Sequence, residues 1–172
     1  MEFHRVHYLD ACVLVKLVVQ EEPVAVTKRI ENYMKAEYTS AFHATSLCFV
    51  EALGVLKLKY VAHNRPDHID QETYLTAVDL LRGLVTDDGP VELVDVAIAD
   101  EAVSLEVERI ARDYALDVSD AYQIVTVRND YWSRYRETKP ILVTADAALA
   151  QAAQAEGLRV WDCLREPAPP GT

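Results

Sequence analysis

Cysteine is scarce in this chain of 172 residues: Cys12, Cys48 and Cys163 are odd in number, far apart and form no C-x-x-C pair. That spacing speaks against a disulfide framework and a thiolate zinc site. Two of the three fall in apolar runs, as in a reduced interior. Basic residues are outnumbered, 17 Lys and Arg against 28 Asp and Glu, for a formal net charge of −11 and a sequence pI of about 4.8. Such acidity favours solubility and opposes broad adhesion to nucleic acid, while leaving room for a local basic rim. Uninterrupted apolar runs of membrane-spanning length are missing, and the start carries no basic-then-apolar leader. A cytoplasmic protein without membrane contact is the expectation. There is no internal repeat, and His4, His7, His43, His63 and His68 have no spacing that matches a metal site or a catalytic triad.

What is present is an ordinary globular composition, 51% hydrophobic and 26% charged, in a chain long enough to bury about 70% of its unfolded surface. Short runs rich in Val, Leu and Ile predict strands at Arg5–Leu9, Val91–Val94, Pro140–Val143 and Leu158–Trp161, with a weaker one near Tyr38–Ser40. Their continuous apolar character suggests cover on both faces, hence a parallel sheet. Helical patterns lie between them: Val13–Gln20, a helix from Pro23 toward Lys35, His43–Tyr60, Asp70–Thr86, Ala99–Tyr114, one from Asp117 or Ser119 toward Asn129, and Ala147–Glu156 stopped by Gly157. The alternation predicts a three-layer α/β/α sandwich with a central, mostly parallel sheet. It forms a single domain over residues 1–165, followed by a Pro-rich tail, 166–172, expected to fray.

Against this frame a few acids stand where a core belongs. Asp10 closes Val6-His7-Tyr8-Leu9, and Asp146 follows Ile141-Leu142-Val143-Thr144 by one residue. Both would lie just beyond strand ends, the edge at which parallel sheets bind ligands. Glu51 lies mid-helix among Leu47, Cys48, Gly54 and Val55, a stripe that would turn it to the interior. Asp117 and Asp120, three apart, share one side of a helix start. Carboxylates are seldom buried without a partner, and two of them at ~4 Å repel by about 4 kcal/mol at an effective dielectric near 20. Without histidine or thiolate companions, such a set selects Mg²⁺ or Mn²⁺, ions that assist phosphodiester hydrolysis. Thr144 and Ser119 are placed to hydrogen-bond the acids from behind. Taken singly, each acid has a plainer explanation: Asp10, Asp146 and Asp117 as helix caps, or Glu51 paired with Lys57 or His43, although neither is three or four residues away.

In this order the motifs resemble the PIN domain family, particularly the toxin ribonucleases of prokaryotic toxin–antitoxin pairs. The resemblance runs from about Val6 to Asp162. It rests on Tyr8-Leu9-Asp10-Ala11-Cys12-Val13-Leu14-Val15-Lys16-Leu17, on Glu51 in Phe49-Val50-Glu51-Ala52-Leu53, on Ser119-Asp120-Ala121-Tyr122-Gln123-Ile124, and on Leu142-Val143-Thr144-Ala145-Asp146 followed by Glu156-Gly157-Leu158-Arg159-Val160-Trp161-Asp162. It implies an acidic quartet of Asp10, Glu51, Asp120 and Asp146 holding Mg²⁺ or Mn²⁺, with Asp117 as an accessory acid. It also implies cleavage of single-stranded RNA by metal-activated water, a homodimer, and an antitoxin protein that blocks the pocket. The chain departs from the family at Cys12, where Ser, Thr or Asn is common. A thiol is a poor partner for a hard-metal shell, and packing is the role expected of it. Residues 60–89 also carry more helix and loop than a minimal member needs.

Arg128, Arg134, Arg136 and Lys139 surround Tyr131, Trp132 and Tyr135, a mixture that suits single-stranded RNA and equally a solvated loop or dimer contact. Lys16, Lys57 and Lys59 read as snorkelling surface lysines. Two other functions compete with the nuclease: a catalytically weak or inactive PIN-like module that binds protein or RNA, which Cys12 and the acidity favour, and phosphoryl transfer to a strand-end aspartate. The latter wants an acid two residues after Asp10, where Cys12 stands, or an acidic pair before it, and leaves Glu51 unexplained. In the nuclease, replacing Asp10 or Asp120 by Asn is expected to abolish cleavage with stability intact or raised.

Overall fold

A computed structural model of the chain describes residues 5–21, 23–36, 41–86, 88–130 and 140–169. Twelve elements follow in order: β1 (Val6–Leu9), α1 (Ala11–Val18), α2 (Val24–Ala36), β2 (Ala41–Ala44), α3 (Ser46–Val61), α4 (Gln71–Val85), β3 (Val91–Leu93), α5 (Glu101–Tyr114), α6 (Val118–Asn129), β4 (Ile141–Thr144), α7 (Ala147–Ala155) and β5 (Arg159–Asp162). The five strands form one sheet in the order β3-β2-β1-β4-β5, with every pairing parallel. The fold is a three-layer α/β/α sandwich.

Strand order decides which helix goes to which face. From β1 the chain moves outward to β2 and β3, then returns past β1 to place β4 and β5 on the other side. Crossovers between parallel strands are right-handed, so reversing the direction of travel moves the helices to the opposite face. Accordingly Val13, Leu14, Ile30, Cys48, Ala52, Leu56, Ala77 and Leu81, from α1 to α4, pack with Leu9, Phe42, Ala44 and Val143 in one core. Val107, Ile110, Ile124, Val125 and Leu149, from α5 to α7, pack with Val6, Tyr8 and Leu142 in the other. Strand residues alternate between the two cores with the period of two that a pleated sheet imposes. The direction of travel reverses between β1 and β4, the position at which open α/β sheets have their binding crevice.

Two expectations need correction here. The helix predicted from His43 begins at Ser46, because Thr45 caps it by accepting a hydrogen bond from the Cys48 amide (3.1 Å). His43 and Ala44 belong to β2, paired with β1 on one side and β3 on the other. Residues 38–40, where a weak strand was expected, lie outside the described residues. Lys59 is not a surface lysine: it is 5% exposed and held between Glu21 (2.7 Å) and Asp67 (2.6 Å). In the tail, the Glu166 carbonyl accepts a hydrogen bond from Arg29 (2.8 Å) and Ala168 packs on the first core. None of the described helices is long and apolar enough to cross a membrane.

Candidate functional site

At the carboxyl ends of the adjacent strands β1 and β4, Asp10 and Asp146 begin two helices that diverge into opposite layers. Asp10 is the N-cap of α1 and is 5% exposed. Its Oδ1 accepts from the Ala11 amide (2.6 Å), and its Oδ2 accepts from the Thr144 hydroxyl (2.7 Å) and the Cys12 thiol (2.8 Å). Burial raises the Asp10 carboxyl above the usual aspartate range, opposed by these three donors, and the nearby Asp146 charge adds to the rise. Asp146 is exposed and caps α7 through Oδ1, which accepts from Ala148 (2.6 Å) and Leu149 (3.1 Å). Thr144, fully buried, ties the two together: its hydroxyl donates to Asp10 and accepts from the Asp146 amide (2.9 Å). Caps satisfy the free amides of a helix start, so both acids have a structural task besides any chemical one.

Glu51 and Asp120 approach from opposite layers. The buried side of α3 is Cys48, Ala52, Leu56 and Lys59, and Glu51 is exposed. The expectation that it faces the interior is therefore corrected: it stands on the rim. Partial loss of water and the charges of Asp10, Asp117 and Asp146 raise its carboxyl above the usual range, opposed by a hydrogen bond from Ser119. Asp120, half-buried in the first turn of α6, is pushed up to about 7 by burial and then by Asp10, Glu51, Asp146 and Asp117. Asp117 occupies the N-cap position of α6 without making a side-chain cap bond. The five acids thus sense one another at the carboxyl edge of the sheet. Among the described residues, however, no group of three or more His, Cys, Asp or Glu side chains is arranged to hold a metal ion. The donor set suits a hard divalent cation in its chemistry, because every donor is a carboxylate oxygen.

Cys12 does more than pack. Besides donating to Asp10, its sulfur accepts from the Ala145 amide (3.2 Å) and lies 3.7 Å from the Thr144 hydroxyl. Burial and the Asp10 charge push the thiol well above its ordinary pKa, which keeps it the donor. Arg128, a candidate RNA contact, is committed elsewhere: its guanidinium pairs with Glu156 (2.7 Å) and Glu106 (2.5 Å) at the far end of α6. Arg134 and Arg136 lie outside the described residues. One acid at this edge escaped sequence reasoning. Asp95, two residues past β3, accepts from the Ser46 amide (3.0 Å) and hydroxyl (2.5 Å) and from the Tyr122 hydroxyl (3.1 Å). The rule that singled out Asp10 and Asp146, an acid just beyond a strand, applies to it equally. No family model matches the chain, and no curated protein matches it.

Proposed function

We propose that the chain is a Mg²⁺- or Mn²⁺-dependent endoribonuclease of PIN type that cleaves single-stranded RNA, the toxin of a toxin–antitoxin pair. The observation that carries this reading is Asp120, whose carboxyl is pushed up to about 7 by burial and then by four other carboxylates gathered at the same sheet edge. Asp10, Glu51, Asp120 and Asp146 would hold the ion, with Asp117 beside them. A divalent cation there supplies charge to offset the acids, acidifies water and neutralises charge building on a phosphoryl group. The chain's own groups prepare that place. Thr144 and Cys12 orient Asp10 through Oδ2, Thr144 also fixes the start of α7 under Asp146, and Ser119 steadies Glu51. Substrate would enter along the exposed rim formed by Glu51, Asp117 and Asp146.

The reading is tested by incubating a mixed pool of single-stranded RNAs with purified protein in Mn²⁺, Mg²⁺ or EDTA, beside Asp120→Asn. Cleavage that requires metal and disappears in the variant is the expected result. A second reading, a PIN-like module that binds without cleaving, is favoured by Asp10, whose two oxygens already receive three protein donors. Folded, partner-free protein that cleaves no RNA under any metal would establish it in place of the nuclease.

A further inference from the structure

We infer that Asp95 is a positioning residue that sets the separation between Glu51 and Asp120 by tying α3 to α6. The inference rests on the nuclease reading of the site for its consequence, but on its own hydrogen bonds for its geometry. Glu51 and Asp120 belong to different layers. The inner face of α3 (Cys48, Ala52, Leu56) is buried in one core and α6 (Ala121, Ile124, Val125) in the other, with the sheet between them. Packing within either core does not by itself fix how the two helices meet at the carboxyl edge, where α3 and α6 touch and Ser119 hydrogen-bonds Glu51. Asp95 adds a second tie there, reaching both helices through its carboxylate. Its Oδ1 accepts from the backbone of Ser46, the first residue of α3 and five before Glu51. The same oxygen accepts from Tyr122, two residues after Asp120 on α6.

Each attachment has more than one contact, although Asp95 is itself exposed and the single Tyr122 hydroxyl proton is shared between Asp95 and the Val96 carbonyl. Ser46 offers amide and hydroxyl to the two oxygens of one carboxylate, and a negative charge at a helix start is favoured by the helix dipole. Tyr122 is 4% exposed, and its hydroxyl also lies 2.8 Å from the Val96 carbonyl, so its ring is held against the segment that carries Asp95. Asp95 is anchored in turn, because the Val94 amide continues the sheet ladder to the Ala44 carbonyl (2.9 Å). A displacement at Ser46 or Tyr122 is passed rigidly along less than two helical turns to Glu51 or Asp120.

The test uses two readouts on the full chain. Mn²⁺ affinity is measured by electron paramagnetic resonance for the wild type, Asp95→Ala, Asp95→Asn and Tyr122→Phe. The α3–α6 separation is measured from nitroxide pairs at Val50→Cys and Val118→Cys, both exposed positions, at 61% and 62%. Asp95→Ala is expected to broaden the distance distribution and to weaken Mn²⁺ binding by roughly tenfold or more, as loss of a group supporting metal ligands does. Asp95→Asn, which keeps a carbonyl acceptor, is expected to restore most of both, and Tyr122→Phe to fall between. A distribution in Asp95→Ala identical to the wild type, or unchanged Mn²⁺ affinity, overturns the proposal. If the distribution broadens while the wild type binds no Mn²⁺, the link stands and the nuclease reading falls. Should Asp95→Ala fail to fold, Tyr122→Phe combined with Ser46→Ala removes the same bridge and is judged by the same outcomes.

Discussion

The two ends of α6 meet acids in opposite circumstances. At its start, burial and then the charges of Asp10, Glu51, Asp146 and Asp117 push the Asp120 carboxyl up to about 7. At its end, about 12 Å along the axis, Arg128 joins Arg109 in pairing with Glu106 and Glu156. There Glu106 is pulled down to about 2, by its hydrogen bonds to Arg109 and then to Arg128. Acids matched by guanidinium groups stabilise a fold modestly; acids matched only by one another oppose it. Among the described residues, arginines pair the acids at one end of the helix, while the acids at the other bear on one another and leave room there for charge from outside. This is why an excess of acid overall says less than how the acids are distributed.

The sharpest way to break the comparison is Asp120→Asn. Cleavage is expected to fall by more than the roughly 10–100-fold typical of a group that only supports a metal ligand. Melting temperature at pH 8, followed by calorimetry, should hold or rise because repulsion is relieved. Unchanged cleavage, or a loss of fold, would mean that the acidic end is structural. Asp10→Asn behaves differently from what sequence suggests. The new amide would bring a donor where Thr144 and Cys12 already donate, so stability should drop by about 1–3 kcal/mol as one polar group loses its partner.

At the paired end, Arg128→Ala removes two carboxylate contacts, one to Glu156, whose side chain is only 9% exposed. A loss of about 1–2 kcal/mol is expected, since Arg109 and Tyr114 still hold Glu156. That is roughly 3–6 °C in a chain of this size, with cleavage untouched. A variant that melts normally but cleaves poorly would return Arg128 to the RNA surface.

Acidity separates the two ends further. The folded protein keeps a proton on Asp120 up to about pH 7, whereas the unfolded chain releases it near pH 4. The folded state therefore binds more protons between these values, and stability declines as pH rises across them. Glu106 has the opposite sign: its contribution is complete above the ordinary glutamate range and is lost only as pH falls toward 2. The buried His7, lowered to about 4, and His43, also lowered, act with the opposite sign, so the test is the difference: in metal-free thermal melts from pH 5 to pH 8, the wild type should lose stability relative to Asp120→Asn. A difference that stays constant over that range would contradict the crowding of Asp120. The smallest effect belongs to Cys12. Cys12→Ser keeps a donor to Asp10 and should change stability by less than about 0.5 kcal/mol, while Cys12→Ala removes it and should cost about 1 kcal/mol. Equal denaturant midpoints for the two variants would reduce the thiol to packing.

The sandwich was legible because apolar runs without alternation, separated by helical patterns, have few other solutions. β2 was harder. Ala41-Phe42-His43-Ala44 contains no β-branched residue and runs without a break into a helical pattern, so only its pairing on both sides reveals it as a strand. Asp10, Asp146 and Asp120 were visible as acids at the ends of apolar runs. The face of Glu51 was misread because α3 is apolar nearly all round, with Val50 at 61% and Leu58 at 48% exposure, so hydrophobic neighbours do not mark its inner side. Arg128 looked like an RNA contact because its partners, Glu106 and Glu156, are 22 and 28 residues away in sequence.

By itself the sequence determined the layers, the parallel strands and the placing of Asp10 and Asp146 one and two residues beyond strand ends, because these follow from local periodicity and from the residues that begin helices. Tertiary structure decided the strand order that sets Asp10 and Asp146 at neighbouring strand ends, the bridge from Asp95 to two helices in different layers, and the pairing that commits Arg128 to Glu106 and Glu156. It also decided that Asp120 is the acid on which the other four bear. Those outcomes depend on distances through space between charges and donors remote in the chain, and such distances exist only once both cores have closed on the sheet.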